Sequence, residues 1–216
     1  MQPCVPENDI RHVDDAQSRF EEAIELFSDV DVARPSRLAG WKVGHVLTHV
    51  ARNADSHVRR AEAAARGEVV EQYRGGHKGR TQEIELGANR RADDLITDVR
   101  VSADALRAIW LELPSTAWEG ITRDVGGQER PMSALPARRW QELEVHLVDL
   151  GVGITHRDFP DEFVVAWLPR LRATAESRLP RGTRMPRPGA LDDRDELAWL
   201  YGRLLRDDLP ELAPWS

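Results

Sequence analysis

Apolar residues recur every three or four positions along most of this chain, the period of an amphipathic helix. Over residues 8–30, Val13, Ala16, Phe20, Ala23, Ile24 and Phe27 form one stripe, with Asn8 as the candidate N-cap. Pro35 and Gly40 punctuate the loop that follows. Residues 41–66 carry a second stripe, running from Val43, Val46 and Leu47 through Val50 and Ala54 to Val58 and Ala61, and Gly67 is placed to stop it. Residues 68–79 are polar, contain Gly75, Gly76 and Gly79, and predict a mobile loop. A third helix is expected over 82–113, disturbed at Gly87, with Ala92, Leu95, Ile96, Val99, Leu106 and Trp110 buried and Pro114 ending it.

The pattern then changes. Ile121, Val125 and the Gly126-Gly127 pair predict a short hairpin within 118–132. A fourth helix begins near Ser133, tolerates Pro136 in its first turn, buries Trp140, Leu143, Leu147, Val148 and Leu150, and stops at Gly151. Four long amphipathic helices in this order predict a mainly all-α four-helix bundle. Beyond it, helices are expected over 162–179 and 194–206, separated by the loop sequence RLPRGTRMPRPGA. The expected division is a bundle over 8–153 and a small C-terminal subdomain over 154–216.

Composition narrows the function classes. Of 216 residues, 41% are hydrophobic and 31% charged, which suits one sizeable packed domain with a solvated surface. The net charge of −7 argues against a phosphate-backbone binder, so no nucleic-acid partner is expected. Mean hydropathy is −0.52, and no apolar run approaches a membrane span. The opening MQPCVPENDI lacks a basic start followed by an apolar stretch, so the expected compartment is the cytoplasm, with no membrane partner. The single cysteine, Cys4, rules out an intrachain disulfide and a four-cysteine zinc site. Thiol chemistry here is therefore expected to use a thiol from outside.

Metal-capable side chains concentrate at two places. His45, His49, Asn53 and His57 are four apart, which keeps successive members on neighbouring faces of one helix. Glu142 and His146 are one turn apart, with Asp149 following. Val46 and Val50 flank His49, and Leu143 and Leu147 flank the second pair, so these polar groups sit among core positions and need partners. One shared divalent metal would satisfy His49, Glu142 and His146 together and leave a fourth position open. The spacing alone leaves two alternatives: His45 and His49 as the ligand pair, or both as surface residues.

The two stretches also carry a resemblance. WKVGHVLTHVARN (41–53) and RWQELEVHLVDLG (139–151) resemble the two metal motifs of the DinB-like superfamily, in its mycothiol-dependent maleylpyruvate isomerase family. The resemblance covers about 8–153. It implies a DinB-like bundle, His49, Glu142 and His146 as ligands of zinc or another divalent metal, and a histidine accompanying the first ligand at His45. It implies mycothiol as thiol cosubstrate and a small-molecule substrate, in a monomer or homodimer. The segment 200–203, Leu-Tyr-Gly-Arg, resembles a Gly-Arg motif of the family, which makes Arg203 the candidate for binding a substrate carboxylate. Arg80 aligns with a family arginine and is the candidate for binding the thiol cofactor. After residue 179 the chain departs from the family pattern: the linker is short and rich in Arg and Pro, leaving a helical or α+β appendage. The implied reaction is cis–trans isomerisation through addition of a metal-activated thiolate to a conjugated double bond. The alternatives are a mycothiol S-transferase and a non-catalytic metal-binding protein.

Overall fold

Four of the predicted stripes close on one another in the computed structural model, which describes residues 5–187 and 189–215. Cys4 lies outside the described residues. The chain falls into two compact units that divide between Val152 and Gly153.

The first unit is built on α1 (Glu7–Ile24), α3 (Val43–Ala65), α5 (Ala92–Glu112) and α6 (Leu135–Asp149), joined by the shorter α2 (Asp29–Ala33) and α4 (Gly76–Gly87). α3 packs against α5 and α6, and α1 against α6 and α5, which gives a four-helix ring. The core is the predicted one: Val13, Ala16, Phe20 and Ile24 from α1, Val46, Leu47 and Val50 from α3, Leu95, Val99, Leu106 and Trp110 from α5, and Leu143, Leu147 and Val148 from α6 are all buried. The predicted hairpin forms from β1 (Ile121–Arg123) and β2 (Glu129–Pro131), antiparallel with Thr122 opposite Arg130. Asp124 Oδ1 accepts the N–H groups of Gly126 and Gln128 and so fixes its turn. No helix is long and apolar enough to cross a membrane among the described residues.

Four boundaries differ from expectation. α1 stops at Ile24 rather than near residue 30, because Ser28 starts a new helix: the Asp31 carboxylate accepts the Ser28 N–H at 2.9 Å while the Ser28 hydroxyl accepts the Asp31 N–H. Asn8 is not the cap of α1, which starts at Glu7 after Pro6. The expected third helix is two helices, broken between Gly87 and Ala92. The break follows from close packing on α3. A Cβ at Gly87 would meet Thr48 Cγ2 at 2.4 Å, and one at Gly44 would meet the Ala88 carbonyl oxygen at 2.2 Å. After the turn, Asp29 Oδ1 accepts the Ala92 N–H at 2.8 Å at the start of α5. The stretch expected as a loop is helical from Gly76 onward, and the guanidinium of Arg59 donates to the carbonyls of Glu71 and Gln72 in the remainder.

The second unit holds α7 (Asp161–Arg178) and α8 (Asp193–Leu200), which pack together, with Phe163 stacked on Tyr201 at 6.1 Å. It contains no strand among the described residues, so of the two expected forms of this appendage it takes the helical one. α8 ends at Leu200, six residues before its expected end at 206. Gly202, at φ +71°, donates to the Trp199 carbonyl and Arg203 N–H donates to the Ala198 carbonyl, the paired bonds of a Schellman cap.

Candidate metal centre

Opposed faces of α3 and α6 bring the three candidate ligands together. His49 lies in the second turn of α3, between Val46 and Val50, and is 2% exposed. Glu142 and His146 occupy successive turns of α6. His49 Nε2 donates to Glu142 Oε2 at 2.9 Å, and His146 Nε2 lies 3.2 Å from the same oxygen. The two imidazole planes are nearly perpendicular, at 87°. One ligand atom from each residue falls within 4.8 Å of the others. Glu142 keeps 21% of its side chain exposed, so the cluster touches solvent on the carboxylate side.

The arrangement fits a divalent cation. Two imidazole nitrogens and a carboxylate oxygen at bonds of about 2 Å stand roughly 3.4 Å apart in a tetrahedral shell, close to the separations seen. His146 Nδ1 donates to Asp149 Oδ2 at 2.9 Å, which fixes the ring and turns Nε2 toward the centre, the usual second contact of a ligating histidine. The donor set serves zinc and also other first-row metals.

Proton affinities follow from the same contacts. Burial pushes the Glu142 carboxyl up, but hydrogen bonds from His146 and His49 outweigh it and hold it well below the usual carboxylate range. Burial lowers His146, yet its bonds to Asp149 and Glu142 leave it raised. His49 is drawn down to about 4, chiefly by burial.

Other sequence candidates fall differently. His45 is not a ligand partner of His49: its Nδ1 accepts the Lys42 N–H at 3.1 Å at the start of α3, and its Nε2 faces Glu85. Asn53 accepts from Arg139 at 2.9 Å and does not orient a ligand. Arg80 sits on α4, not in a loop, and its Nη2 lies 3.2 Å from His49 Nδ1. Arg203 belongs to the second unit, where its Nη1 donates to the Tyr201 carbonyl at 2.7 Å. Tyr73, whose ring lies 5.8 Å beneath the Arg80 guanidinium, carried no signal in the sequence.

Residues 13–151 match the family described as the mycothiol maleylpyruvate isomerase N-terminal domain. The chain belongs to that family. The matched span of the mycothiol maleylpyruvate isomerase N-terminal domain includes His49, Arg80, Glu142 and His146 and stops before Arg203. Crystal structures of the mycothiol-dependent maleylpyruvate isomerase and of a histidine-to-alanine mutant of it share this fold, with TM-scores of 0.84 and 0.86. Each is 21% identical to this chain, and the match covers 97% of this chain and 97% of theirs. No curated protein matches.

Proposed function

We propose that this protein is a divalent-metal, mycothiol-dependent cis–trans isomerase of the maleylpyruvate type, with zinc as the first candidate metal. What supports the reading is the convergence of His49, Glu142 and His146 on one point, inside the span that places the chain in its family. These three residues would hold the ion. When bound, it supplies a thiolate near neutral pH by lowering the pKa of a coordinated thiol. The thiolate sulfur bonds to the alkene carbon β to the ketone, the electron pair moves onto the ketone oxygen as an enolate, the former double bond rotates, and expulsion of the thiolate restores a trans alkene. Thiol is regenerated and substrate mass is unchanged.

The chain's own residues prepare that step. Asp149 orients His146. Arg80, whose Nη2 lies 3.2 Å from His49 Nδ1, would bind the thiol cosubstrate beside the ion that His49 helps to hold. Trp41, edge-on to His49 at 5.8 Å, shields the ring from water.

Incubating the metal-loaded protein with maleylpyruvate, with and without mycothiol, tests the reading. A thiol-dependent product of unaltered mass is expected. A stable thiol adduct would instead make the enzyme an S-transferase, and no thiol-dependent change would remove the catalytic reading.

A further inference from the structure

α3 carries a second set of buried polar side chains that the metal reading leaves unused. Arg60 follows His49 by three helical turns with about 20° of drift, so the two share a face. Its guanidinium folds back along the helix: Nε donates to the Ser56 carbonyl at 3.1 Å and Nη2 to Ser56 Oγ at 3.4 Å. This brings the charge to the level of Ser56, about 10 Å along the axis from His49. Arg60 is 3% exposed and forms no ion pair among the described residues. Burial lowers its pKa to about 10, which leaves it charged at neutral pH.

Two groups with unpaired atoms lie within electrostatic reach of it. His57 Nδ1 and Tyr73 Oη are buried with no hydrogen-bond partner. Asn53 lies close enough to Tyr73 to lower its pKa, but no bond of ordinary geometry reaches the hydroxyl, and burial keeps the phenol raised and protonated. The set is tied to the metal centre by contact, since Arg80 touches both His49 and the Tyr73 ring. Ser56 and Tyr73 also line a cleft of about 700 Å³ between α3, α4 and α5. Folded proteins pair nearly all buried polar groups, and a buried charge without a counter-ion is costly. A lone guanidinium beside an unpaired phenol is the arrangement that a carboxylate completes.

We propose that Arg60, assisted by the Tyr73 hydroxyl, anchors the far carboxylate of a dicarboxylate substrate whose reactive double bond lies at the His49–Glu142–His146 centre. This deepens the isomerase reading and rests on it. Maleylpyruvate has one carboxylate beside its alkene and a second at the pyruvyl end, beyond the ketone. The spacing of about 10 Å along α3 suits the pyruvyl end.

The test is calorimetric titration of the zinc-loaded full chain, without thiol, using two probes. Fumarylpyruvate carries both carboxylates; acetylacrylate keeps the enone and its adjacent carboxylate but lacks the pyruvyl end. The wild type should bind fumarylpyruvate more tightly than acetylacrylate. Arg60→Met should weaken fumarylpyruvate about 10- to 100-fold, the worth of a charged hydrogen-bonded contact, and leave acetylacrylate unchanged. Tyr73→Phe, which removes one oxygen and keeps the fold, should weaken fumarylpyruvate about 3- to 10-fold. In turnover, Arg60→Met should raise KM more than it lowers kcat. Equal loss of both probes, or wild-type affinity in Arg60→Met, overturns the anchor; should that variant not fold, unchanged binding by Tyr73→Phe does so. If wild type shows the carboxylate preference but does not interconvert the isomers, the isomerase reading fails and the anchor stands. If it isomerises and Arg60→Met is indistinguishable from it, the anchor fails alone.

Discussion

His49 and Arg60 stand on one face of α3, three turns apart, and both are buried. Around His49 the polar atoms are matched: its Nε2 meets Glu142, Glu142 meets His146, and His146 meets Asp149. Around Arg60 they are not: His57 and Tyr73 are left open and, among the described residues, the arginine bonds only to its own helix. The difference separates two ways of storing binding capacity. A matched cluster satisfies its own polar atoms, and a bound cation would take over those contacts. An unmatched cluster leaves polar atoms open, and a ligand must supply their partners.

Acid should break the matched cluster first. His49 is held near 4 by burial, against 6.5 in the unfolded chain. Between those values the unfolded chain takes up a proton that the folded chain refuses. The stability is therefore complete above 6.5 and falls as pH drops toward 4, by about 3 kcal/mol for this group. His57, also lowered by burial, acts in the same direction. His146 is raised and acts oppositely: what it adds is full below 6.5 and fades as pH climbs. Glu142, lowered, adds stability above its unfolded value of 4.5 that is lost at still lower pH. Urea unfolding with a chelator at pH 7 and pH 4 should show the drop; equal midpoints would count against a neutral, buried His49.

Removing the outer member of the cluster should do less. Asp149→Asn keeps the shape but takes the charge from the carboxylate behind His146, and metal affinity should fall about 10- to 100-fold. Competition against a chromophoric chelator measures it, and unchanged affinity would mean that Asp149 only packs. The smallest effect is expected at His45. Replacing it by alanine removes a bond to the Lys42 N–H, at about 1 kcal/mol of stability. Metal content should stay as in wild type. If instead the metal is lost, His45 belongs to the site after all.

The triad was legible because Glu142 and His146 are one turn apart among leucines and His49 sits between two valines; period and polarity put them among core positions, and the resemblance of the two motifs to a known family singled them out over the alternatives. The four-helix core was legible for the same reason. The break after Gly87 was not, because it depends on what Gly87 and Gly44 touch, which is tertiary information. The end of α1 had a signal in Ser28 and Asp31, but Phe27 and Val30 carried the apolar period past it. Arg60 and Tyr73 gave none: an arginine on a helix is solvated by default, and only the packing around α3 shows that this one is buried.

The most direct measurement is the metal content of the purified protein after dialysis against micromolar zinc, by elemental analysis, for wild type and His49→Ala. About one ion per chain in the wild type, and none in a variant that keeps its helical circular dichroism, is the result this account predicts. A wild type that binds no divalent ion, or a variant that holds it equally well, would contradict it.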